Sequence, residues 1–216
     1  ITAVDAAGNS RTDTLAFTVD TTAPIATSQI DNSVLFQGKE FINSATPTLS
    51  GTSEPDSLII IKMEDGSEHS ISVDSAGNWS FITPTPLSEG DHQYDITAVD
   101  AAGNSQTETS LFVIDTIAPV TVANILDGTQ NGSDIHTTDS TPTFFGTTEG
   151  NSIISLTIDG GVSQTVQVDD SGNWSIDVVN PLALGQHTYQ ITTSDIANNI
   201  HIINQDLFID DPSLIP

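Results

Sequence analysis

The sequence predicts an all-β protein made of tandem immunoglobulin-like β-sandwiches, each with seven strands, arranged as a rod. Three observations support this fold class. The motif VDAAGNS occurs at residues 4–10 and again at 99–105, which reveals a repeat with a period of 95 residues. Short segments rich in Ile, Val, Thr and Phe alternate apolar with polar residues between turn-forming Gly, Asn, Asp and Pro. No stretch has helical periodicity of useful length.

The period sets the predicted domain boundaries. DTTAP at 20–24 recurs 95 residues later as DTIAP at 115–119, and Trp79 recurs at the same spacing as Trp174. We therefore predict the C-terminal strands of a preceding repeat at 1–19, complete immunoglobulin-like repeats at 20–114 and 115–209, and the start of a further linker at 210–216. The two complete units are named repeat two and repeat three below.

Within repeat two, the alternation predicts seven strands, named A to G. They lie near residues 25–30, 47–52, 58–64, 68–73, 78–82, 92–99 and 106–114. Seven strands in a domain of this length are typical of an immunoglobulin-like sandwich. Tyr94 and Tyr189 each follow a Leu and a Gly at the start of strand F, which resembles the tyrosine corner of such sandwiches. We interpret both tyrosines as structural.

The composition limits the partners that can be expected. The formal net charge is −26, from 29 acidic and three basic residues, which disfavours nucleic acid and anionic membrane surfaces and favours cations. The chain has no cysteine, so neither disulfides nor thiolate metal sites hold the fold. No apolar run reaches the ~18 residues of a membrane span, and no signal peptide opens the chain. We expect a monomer without membrane insertion.

Chain direction places four acidic residues of each repeat at one end of its sandwich. If successive strands run up and down, the B–C, D–E and F–G loops share the end at which the linker joins the domain. This end is named the N-terminal pole. In repeat two it holds Asp20 of the linker with Glu54, Asp74 and Asp100 of the three loops. In repeat three the equivalents are Asp115, Glu149, Asp169 and Asp195.

Four carboxylates at one pole repel one another unless a cation neutralises them. Calcium suits such a set, because it takes six to eight oxygen ligands at ~2.3–2.6 Å and tolerates irregular geometry. Zinc and copper are poorly served, since no His or Cys accompanies the acids. We therefore predict that calcium binds these carboxylates, and that each ion ties a linker to the domain that follows it.

An alternative is that the loop aspartates are ordinary turn residues. Asp side chains bond to the nearby backbone, and this alone would explain Asp74, Asp100, Asp169 and Asp195. The linker residues Asp20 and Asp115 lie outside tight turns, so the alternative explains them less well. Asp65 and Asp159 each lie next to Gly in a predicted hairpin turn at the opposite pole, and we leave them out of the metal site.

Other prominent residues have structural explanations. Trp79 and Trp174 each begin strand E directly after a Gly-Asn turn, so we expect burial in the sandwich and not a sugar-stacking surface. His92 and His187 recur, but neither has a partner with which it would form a catalytic or metal-binding set. The chain contains no recognised catalytic motif. We predict that it is not an enzyme.

The motifs together resemble those of one family. DTTAP or DTIAP, PTLSG or PTFFG, DSAGNW or DDSGNW, and AVDAAGNS, at this period, are similar to the bacterial immunoglobulin-like repeats of giant type I secreted adhesins. The resemblance implies secretion, display on the bacterial cell surface and calcium at the domain junctions. It also implies contact with host epithelial cells through the full-length protein. The sequence departs from the pattern at DIANN (195–199) and at DDPSLIP (210–216).

Three classes of function remain open. The first is a structural stalk, in which calcium-stiffened joints between adjacent repeats hold a distal binding tip away from the cell. The second is a module that itself binds glycan or protein, and the third is a set of accessory domains in a secreted polysaccharide-active enzyme. The stalk is favoured, because the repeated residues are core positions and junction acids, and the sequence has no aromatic cluster suited to a sugar site.

Overall fold

Alternating apolar and polar residues produce the β-strands that the sequence predicts. The structure is a computed structural model, which describes residues 1–132 and 134–214. Within these residues it contains twenty strands and one short 3₁₀ helix, Pro212–Leu214. The predicted all-β fold of tandem immunoglobulin-like domains is confirmed. Among the same residues, no helix has the length and the apolar character needed to cross a membrane.

Repeat two forms the two sheets of an immunoglobulin-like sandwich. Its strands are β3 (Gln29–Ile30), β4 (Val34–Phe36), β5 (Lys39–Ile42), β6 (Thr48–Thr52), β7 (Leu58–Met63), β8 (Glu68–Ser72), β9 (Asn78–Ile82), β10 (Gly90–Val99) and β11 (Ser105–Ile114). The smaller sheet has the order β3-β6-β9, and the larger has the order β4-β5-β11-β10-β7-β8. These sheets contain all seven predicted strands, with strand A reduced to the two residues of β3.

Repeat three has the same strand order in both of its sheets. Its strands are β12 (Val122–Ile125), β13 (Thr129–Asn131), β14 (Asp134–Thr137), β15 (Thr143–Thr147), β16 (Ile153–Ile158), β17 (Gln164–Gln167), β18 (Asn173–Asp177), β19 (Gly185–Ser194) and β20 (Ile200–Ile209). The sheet orders are β12-β15-β18 and β13-β14-β20-β19-β16-β17. The sequence period is thus a period of topology as well.

Each repeat contains one hairpin that the seven-strand prediction omits. In repeat two it is formed by β4 and β5, and its turn residues Gln37 and Gly38 have φ of 49° and 81°. Two successive residues with positive φ make the tight turn that suits the twist of a two-residue hairpin. Strand β5 then pairs in parallel with β11, with Phe112 opposite Glu40. The prediction missed the hairpin because Gln-Gly is not among the usual turn dipeptides.

The core of repeat three draws on both of its sheets. Phe144 and Trp174 from the smaller sheet join Leu156, Tyr189 and Leu207 from the larger sheet in one cluster of buried side chains. The rings of Phe144 and Tyr189 meet edge to face, with centroids 4.9 Å apart. Burial of this apolar surface, at about 25 cal/mol per Å², is the main term that stabilises the sandwich. The predicted structural role of Tyr189 is confirmed.

The glycine of the PTLSG and PTFFG motifs packs closely against the backbone of strand A and against a tryptophan. A Cβ atom on Gly51 would lie 2.9 Å from Cζ2 of Trp79 and 2.0 Å from the carbonyl oxygen of Thr27. The equivalent Cβ on Gly146 would lie 3.1 Å from Cζ2 of Trp174. Both tryptophans are buried, as predicted. Glycine at this position therefore lets strand A and the strand E indole approach strand B closely.

The first residues form a separate exposed hairpin. Strands β1 (Thr2–Val4) and β2 (Ser10–Thr12) pair antiparallel, with Val4 opposite Ser10. The chain as a whole forms two compact units. One contains Ile1–Gln29, Ser50–Phe81 and Tyr94–Ser110, and the other contains Ile30–Leu49, Ile82–Gln93 and the residues from Leu111 onward. The boundaries at 19, 114 and 209 remain predictions.

Candidate functional site

The F–G turn of repeat two is closed by the side chain of one aspartate. Asp100 follows β10, and its Oδ1 accepts hydrogen bonds from the backbone N–H groups of Ala102 and Asn104, both at 2.8 Å. Its Oδ2 accepts a third from Nδ2 of Asn104 at 2.7 Å. The Asn104 side chain is the largest cause that holds the pKa of Asp100 below its usual value. Asp100 is therefore a charged cap of its own turn.

The F–G turn of repeat three keeps this geometry with a different sequence. Asp195 accepts from the backbone N–H of Asn199 at 2.8 Å and from Nδ2 of Asn199 at 2.9 Å. Asn198 has φ of 68°, where the equivalent residue of repeat two is Gly103 with φ of 89°. Asn adopts this left-handed region more readily than most residues other than Gly. The departure DIANN therefore preserves the turn.

The asparagine of each F–G turn also binds the linker. Nδ2 of Asn199 donates to the backbone carbonyl of Asp115 at 2.8 Å, and Nδ2 of Asn104 donates to that of Asp20 at 3.2 Å. Each linker aspartate therefore lies beside the F–G turn of its repeat. Sequence reasoning did not identify these asparagines as junction residues, although their recurrence at the 95-residue period was an available signal.

The D–E turns use the same capping arrangement. Oδ1 of Asp74 accepts from the backbone N–H groups of Ala76 and Asn78 at 2.9 and 2.7 Å. Asp169 accepts the equivalent pair at 3.0 and 2.7 Å. In both turns the N–H four residues along the chain is the largest cause of a lowered pKa of the aspartate. The ordinary-turn explanation thus describes the hydrogen bonds of both residues.

The B–C segment of each repeat is bonded to its D–E turn. In repeat three the N–H of Thr148 donates to the carbonyl of Gly172 at 2.9 Å, and Glu149 follows directly in the chain. In repeat two the equivalent bond, also 2.9 Å, runs from Ser53 to Gly77. The B–C and D–E loops therefore share one pole, as chain direction predicts.

Burial and repulsion act on the carboxylates beside the linker of repeat three. The pKa of Asp115 is raised mainly by burial and further by the negative charges of Asp195 and Glu89. The Glu149 side chain is exposed, as is that of Glu54, but partial desolvation, followed by the charges of Asp115 and Asp195, raises the pKa of Glu149. Like charges act this way only at short range, because solvent screens them at longer distances. The Asn199 side chain bonds both Asp115 and Asp195, so these two residues lie side by side, and Glu149 is near enough for the charges of both to act on it.

The remaining predicted ligands have other surroundings. Asp20 accepts from the N–H of Thr22 at 3.0 Å, Glu54 is exposed, and Asp169 is occupied by its own turn. Within residues 1–132 and 134–214, no group of three or more Asp, Glu, His or Cys side chains is arranged so that it would hold a metal ion. The calcium ligand set remains a prediction.

A carboxylate that the sequence analysis did not identify binds the linker as well. Oε2 of Glu89, just before β10, accepts from the backbone N–H of Thr116 at 3.0 Å, and its Oε1 accepts from the Thr116 hydroxyl. The hydroxyl is the largest cause that lowers the pKa of Glu89. The period gave no signal for this residue, because the position 95 residues later is Leu184.

The recurring histidines are held by hydrogen bonds within their own repeats. Nε2 of His92 donates to the carbonyl of Ser88 at 2.8 Å. Nε2 of His187 donates to the carbonyl of Ala183 at 2.9 Å, and its Nδ1 lies 2.6 Å from Oδ2 of Asp159. Asp159 has φ of 51°, in keeping with the predicted hairpin turn. The expectation that neither histidine has a partner is therefore wrong for His187, which the turn aspartate Asp159 meets across the fold, while the contacts of both histidines fit a structural role.

A family model described as the bacterial Ig-like domain matches residues 24–116 and, a second time, residues 117–211. The chain belongs to the bacterial Ig-like domain family. Two such domains account for most of the chain, and membership suggests a structural and non-enzymatic role. The two bacterial Ig-like domains of this chain share the glycine–tryptophan contact and the capped F–G turn described above.

Solved structures resemble these bacterial Ig-like domains. A tetra-tandem repeat in the extending region of a large adhesion protein is 24% identical with a TM-score of 0.37, and the match covers 97% of this chain and 55% of that one. A Ca²⁺-stabilised adhesin that helps an Antarctic bacterium to reach out and bind ice is 24% identical with a TM-score of 0.38, covering 96% and 54%. The fibronectin(III)-like modules of Clostridium thermocellum CbhA are 12% identical with a TM-score of 0.49, covering 88% and 97%.

The chain spans about half the length of the two adhesin structures. No curated protein sequence matches it. The activity and the partners of a whole protein do not follow from these likenesses.

Proposed function

We propose that these repeats are a structural spacer in a large bacterial adhesin displayed on the cell surface, and that calcium fixes each linker to the domain that follows it. One observation carries the proposal. The Asn199 side chain bonds both Asp115 and Asp195 beside the linker of repeat three, and desolvation, followed by the charges of these two residues, raises the pKa of Glu149. A bound cation would relieve this repulsion and would make the gathered charges favourable.

The residues at this pole fit calcium by their chemistry. All the predicted ligands offer oxygen, and none offers nitrogen or sulfur, which is the preference of calcium and not of zinc. Asp195 accepts two hydrogen bonds from Asn199, which leaves further lone pairs on its carboxylate. Turn capping and calcium binding are thus compatible roles.

The proposed ligands divide between the two linkers. For the linker of repeat three they are Asp115, Glu149, Asp169 and Asp195, and for the linker of repeat two they are Asp20, Glu54, Asp74 and Asp100. In each set one aspartate belongs to the linker and the others belong to the domain that follows. Calcium would therefore join each linker to the domain that follows it.

A spacer role agrees with what the two repeats have in common. Their shared residues are the buried tryptophan, the glycine beneath it, the turn aspartates and the linker aspartate. Secretion by a type I system, surface display and contact with host epithelial cells through the full-length protein rest on the motif resemblance alone. A resemblance of these motifs to the giant non-fimbrial adhesin of Salmonella is part of the same proposal.

Calorimetric titration of the calcium-free chain tests the metal site. We expect roughly one or two ions at each linker, with affinities between submicromolar and millimolar. Asp115→Asn should remove the binding at repeat three, Asp20→Asn should remove the binding at repeat two, and the double variant should bind none. Asp127→Asn, an exposed turn residue after β12, is the matched control. Titrations without heat, together with an unchanged melting temperature in calcium, would exclude the site.

Small-angle scattering and a glycan array separate a spacer from a binding module. A spacer should scatter as a more extended particle with calcium than with chelator, and it should bind no glycan selectively. Strong and selective binding of one glycan class by the chain would overturn the spacer function. Scattering curves that coincide with and without calcium, once binding is established, would show that the ion does not act on the joint.

A further inference from the structure

The linker before repeat three is held at two successive residues. The backbone N–H of Asp115 donates to the carbonyl of Ile42 at 2.9 Å, and the carbonyl of Asp115 accepts from Nδ2 of Asn199 at 2.8 Å. The next residue, Thr116, gives both its N–H and its hydroxyl to the carboxylate of Glu89. All these residues belong to the same compact unit of the chain.

We propose that Glu89 is a clasp that fixes the linker at Thr116 without any metal ion. The clasp goes beyond the proposed calcium site, because it uses a carboxylate outside the predicted ligand set and needs no cation. It keeps the backbone at residues 115–116 in place when calcium is absent. Glu89 is thus a positioning residue of the linker.

The geometry of the contact favours a specific clasp over a chance approach of two surface residues. One carboxylate accepts two donors of the same residue, so the two bonds fix both the position and the rotation of Thr116. Hydrogen bonds to a charged acceptor are stronger than those between neutral groups. The β-branched side chain of Thr restricts χ1, which lowers the entropy lost when its hydroxyl is held. The two residues are 27 positions apart in sequence, so the contact is not a local turn.

The charge of Glu89 also explains how the clasp would combine with a calcium site. Glu89 is one of the negative charges that act on Asp115. Without a cation, the clasp therefore holds the linker even though the charge of Glu89 repels that of Asp115. With a cation at Asp115, the same charge becomes favourable.

The clasp does not recur at the end of repeat three. Ninety-five residues further on, the position of Glu89 is taken by Leu184 and the position of Thr116 by Asp211. The leucine side chain has no acceptor, and it is exposed. Asp211 instead accepts from the N–H and the hydroxyl of Ser213, at 2.9 and 2.7 Å. In a spacer built from such repeats, the linkers would therefore differ in how firmly they are held when calcium is absent.

Amide hydrogen exchange of the full chain in excess chelator tests the clasp. The readout is the exchange rate of the Thr116 N–H relative to that of the Ile191 N–H in the core. Glu89→Ala should speed exchange at Thr116 by about tenfold or more, since it removes a hydrogen bond to a charged group. Glu89→Gln should have a smaller effect, because its amide oxygen still accepts one bond. Thr116→Val, which loses only the hydroxyl, should also have a smaller effect.

Glu108→Gln is the matched control, since it removes one exposed acidic charge from β11 of the same repeat. It should leave the exchange of Thr116 within about twofold of the unchanged protein. A rate at Thr116 that is the same in Glu89→Ala as in the unchanged chain would overturn the clasp. Equal acceleration by Glu108→Gln would also overturn it, because the effect would then come from net charge and not from the bond.

Discussion

The side-chain amide of Asn199 donates a hydrogen bond to the backbone carbonyl of Asp115 at 2.8 Å. The same amide donates to Oδ2 of Asp195 at 2.9 Å, so both of its N–H groups are used. One side chain thus joins the linker to the F–G turn of the domain that follows. In repeat two, Asn104 makes the same bridge to Asp20, with a longer bond of 3.2 Å.

Replacing Asn199 by Ala should weaken repeat three at its linker. The substitution removes both amide bonds and leaves the backbone N–H of residue 199 bonded to Asp195. Loss of bonds that include one to a charged acceptor should lower the free energy of unfolding by about 1.5–3 kcal/mol. Thermal melting of the full chain measures this change as a lower transition temperature for repeat three.

Asn104→Ala makes the matching change in repeat two and serves as the control. It should lower the stability of repeat two and leave the amide exchange of Asp115 unchanged. Melting curves that do not move for Asn199→Ala would mean that water replaces the bridge at no cost.

Neutralising the gathered acids should stabilise repeat three without calcium and should abolish the effect of calcium. Asp115→Asn and Glu149→Gln each keep the size of the side chain and remove a charge that repels the others. The gain without calcium should be at most about 1 kcal/mol, since solvent partly screens these charges. Melting temperatures in chelator and in excess calcium, measured for both variants, give the two effects separately.

Asp127→Asn is the control for this pair of variants, because it removes an exposed charge from a turn of the same repeat. Its melting temperature should change little in chelator and should keep the full response to calcium. If Asp115→Asn and Glu149→Gln instead melted lower in chelator, repulsion would not be the dominant force among these carboxylates.

The sequence predicted those features that depend on local pattern and period. Alternation identified the strands, and the step from Trp79 to Trp174 identified equivalent core positions. Chain direction placed the B–C and D–E loops together, and the Thr148–Gly172 bond is in agreement. These predictions succeed because the side chains of a strand alternate between faces, so buried and exposed residues alternate along the sequence.

The remaining features depend on contacts between distant residues. The Glu89–Thr116 contact joins positions 27 apart, and nothing in either local sequence signals it. The bridge from Asn199 to Asp115 joins positions 84 apart. Chain direction indicates which loops share a pole, but it does not give side-chain rotamers. It therefore predicts which acids share a pole, and it does not tell which of their oxygens the turns already occupy.

Replacing Gly146 by Ala should severely destabilise repeat three. The added Cβ would lie 1.9 Å from the carbonyl oxygen of Val122 and 3.1 Å from Cζ2 of Trp174, so the strand or the indole must move. Overpacking of this kind costs about 1–3 kcal/mol or more. Urea denaturation followed by tryptophan fluorescence measures the loss. Thr147→Ala, at the neighbouring exposed position of β15, should cost much less, and equal losses would argue against a close contact.

The pair of His187 and Asp159 should give repeat three its own dependence on pH. Both ring nitrogens of His187 face acceptors, the Asp159 carboxylate and the Ala183 carbonyl, which favours the doubly protonated ring. The bond to Asp159 is the largest cause that raises the pKa of His187 above 6.5. The bond to His187 is the largest cause that lowers the pKa of Asp159 below 3.8.

The stability from His187 is fully present below the ordinary histidine pKa and is lost as pH rises through its raised value. The stability from Asp159 is present above the ordinary aspartate pKa and is lost as pH falls through its lowered value. The pair therefore stabilises repeat three most between about pH 4 and 6.5. Its contribution should be at most about 1 kcal/mol, because Asp159 is half exposed and solvent screens it.

Asp159→Asn separates the pair from every other titrating group. The variant keeps the shape of the side chain, and Asn suits the positive φ of residue 159. Urea unfolding of repeat three at pH 5.5 and pH 8.5 should therefore differ less in the variant than in the unchanged chain, because the variant has no carboxylate to hold the imidazolium. Proton NMR titration of His187 should show its pKa falling in the variant. Asp127→Asn should keep the original pH dependence. If the unchanged chain and Asp159→Asn lost the same free energy between the two pH values, the His187–Asp159 pair would not be the source of the pH dependence.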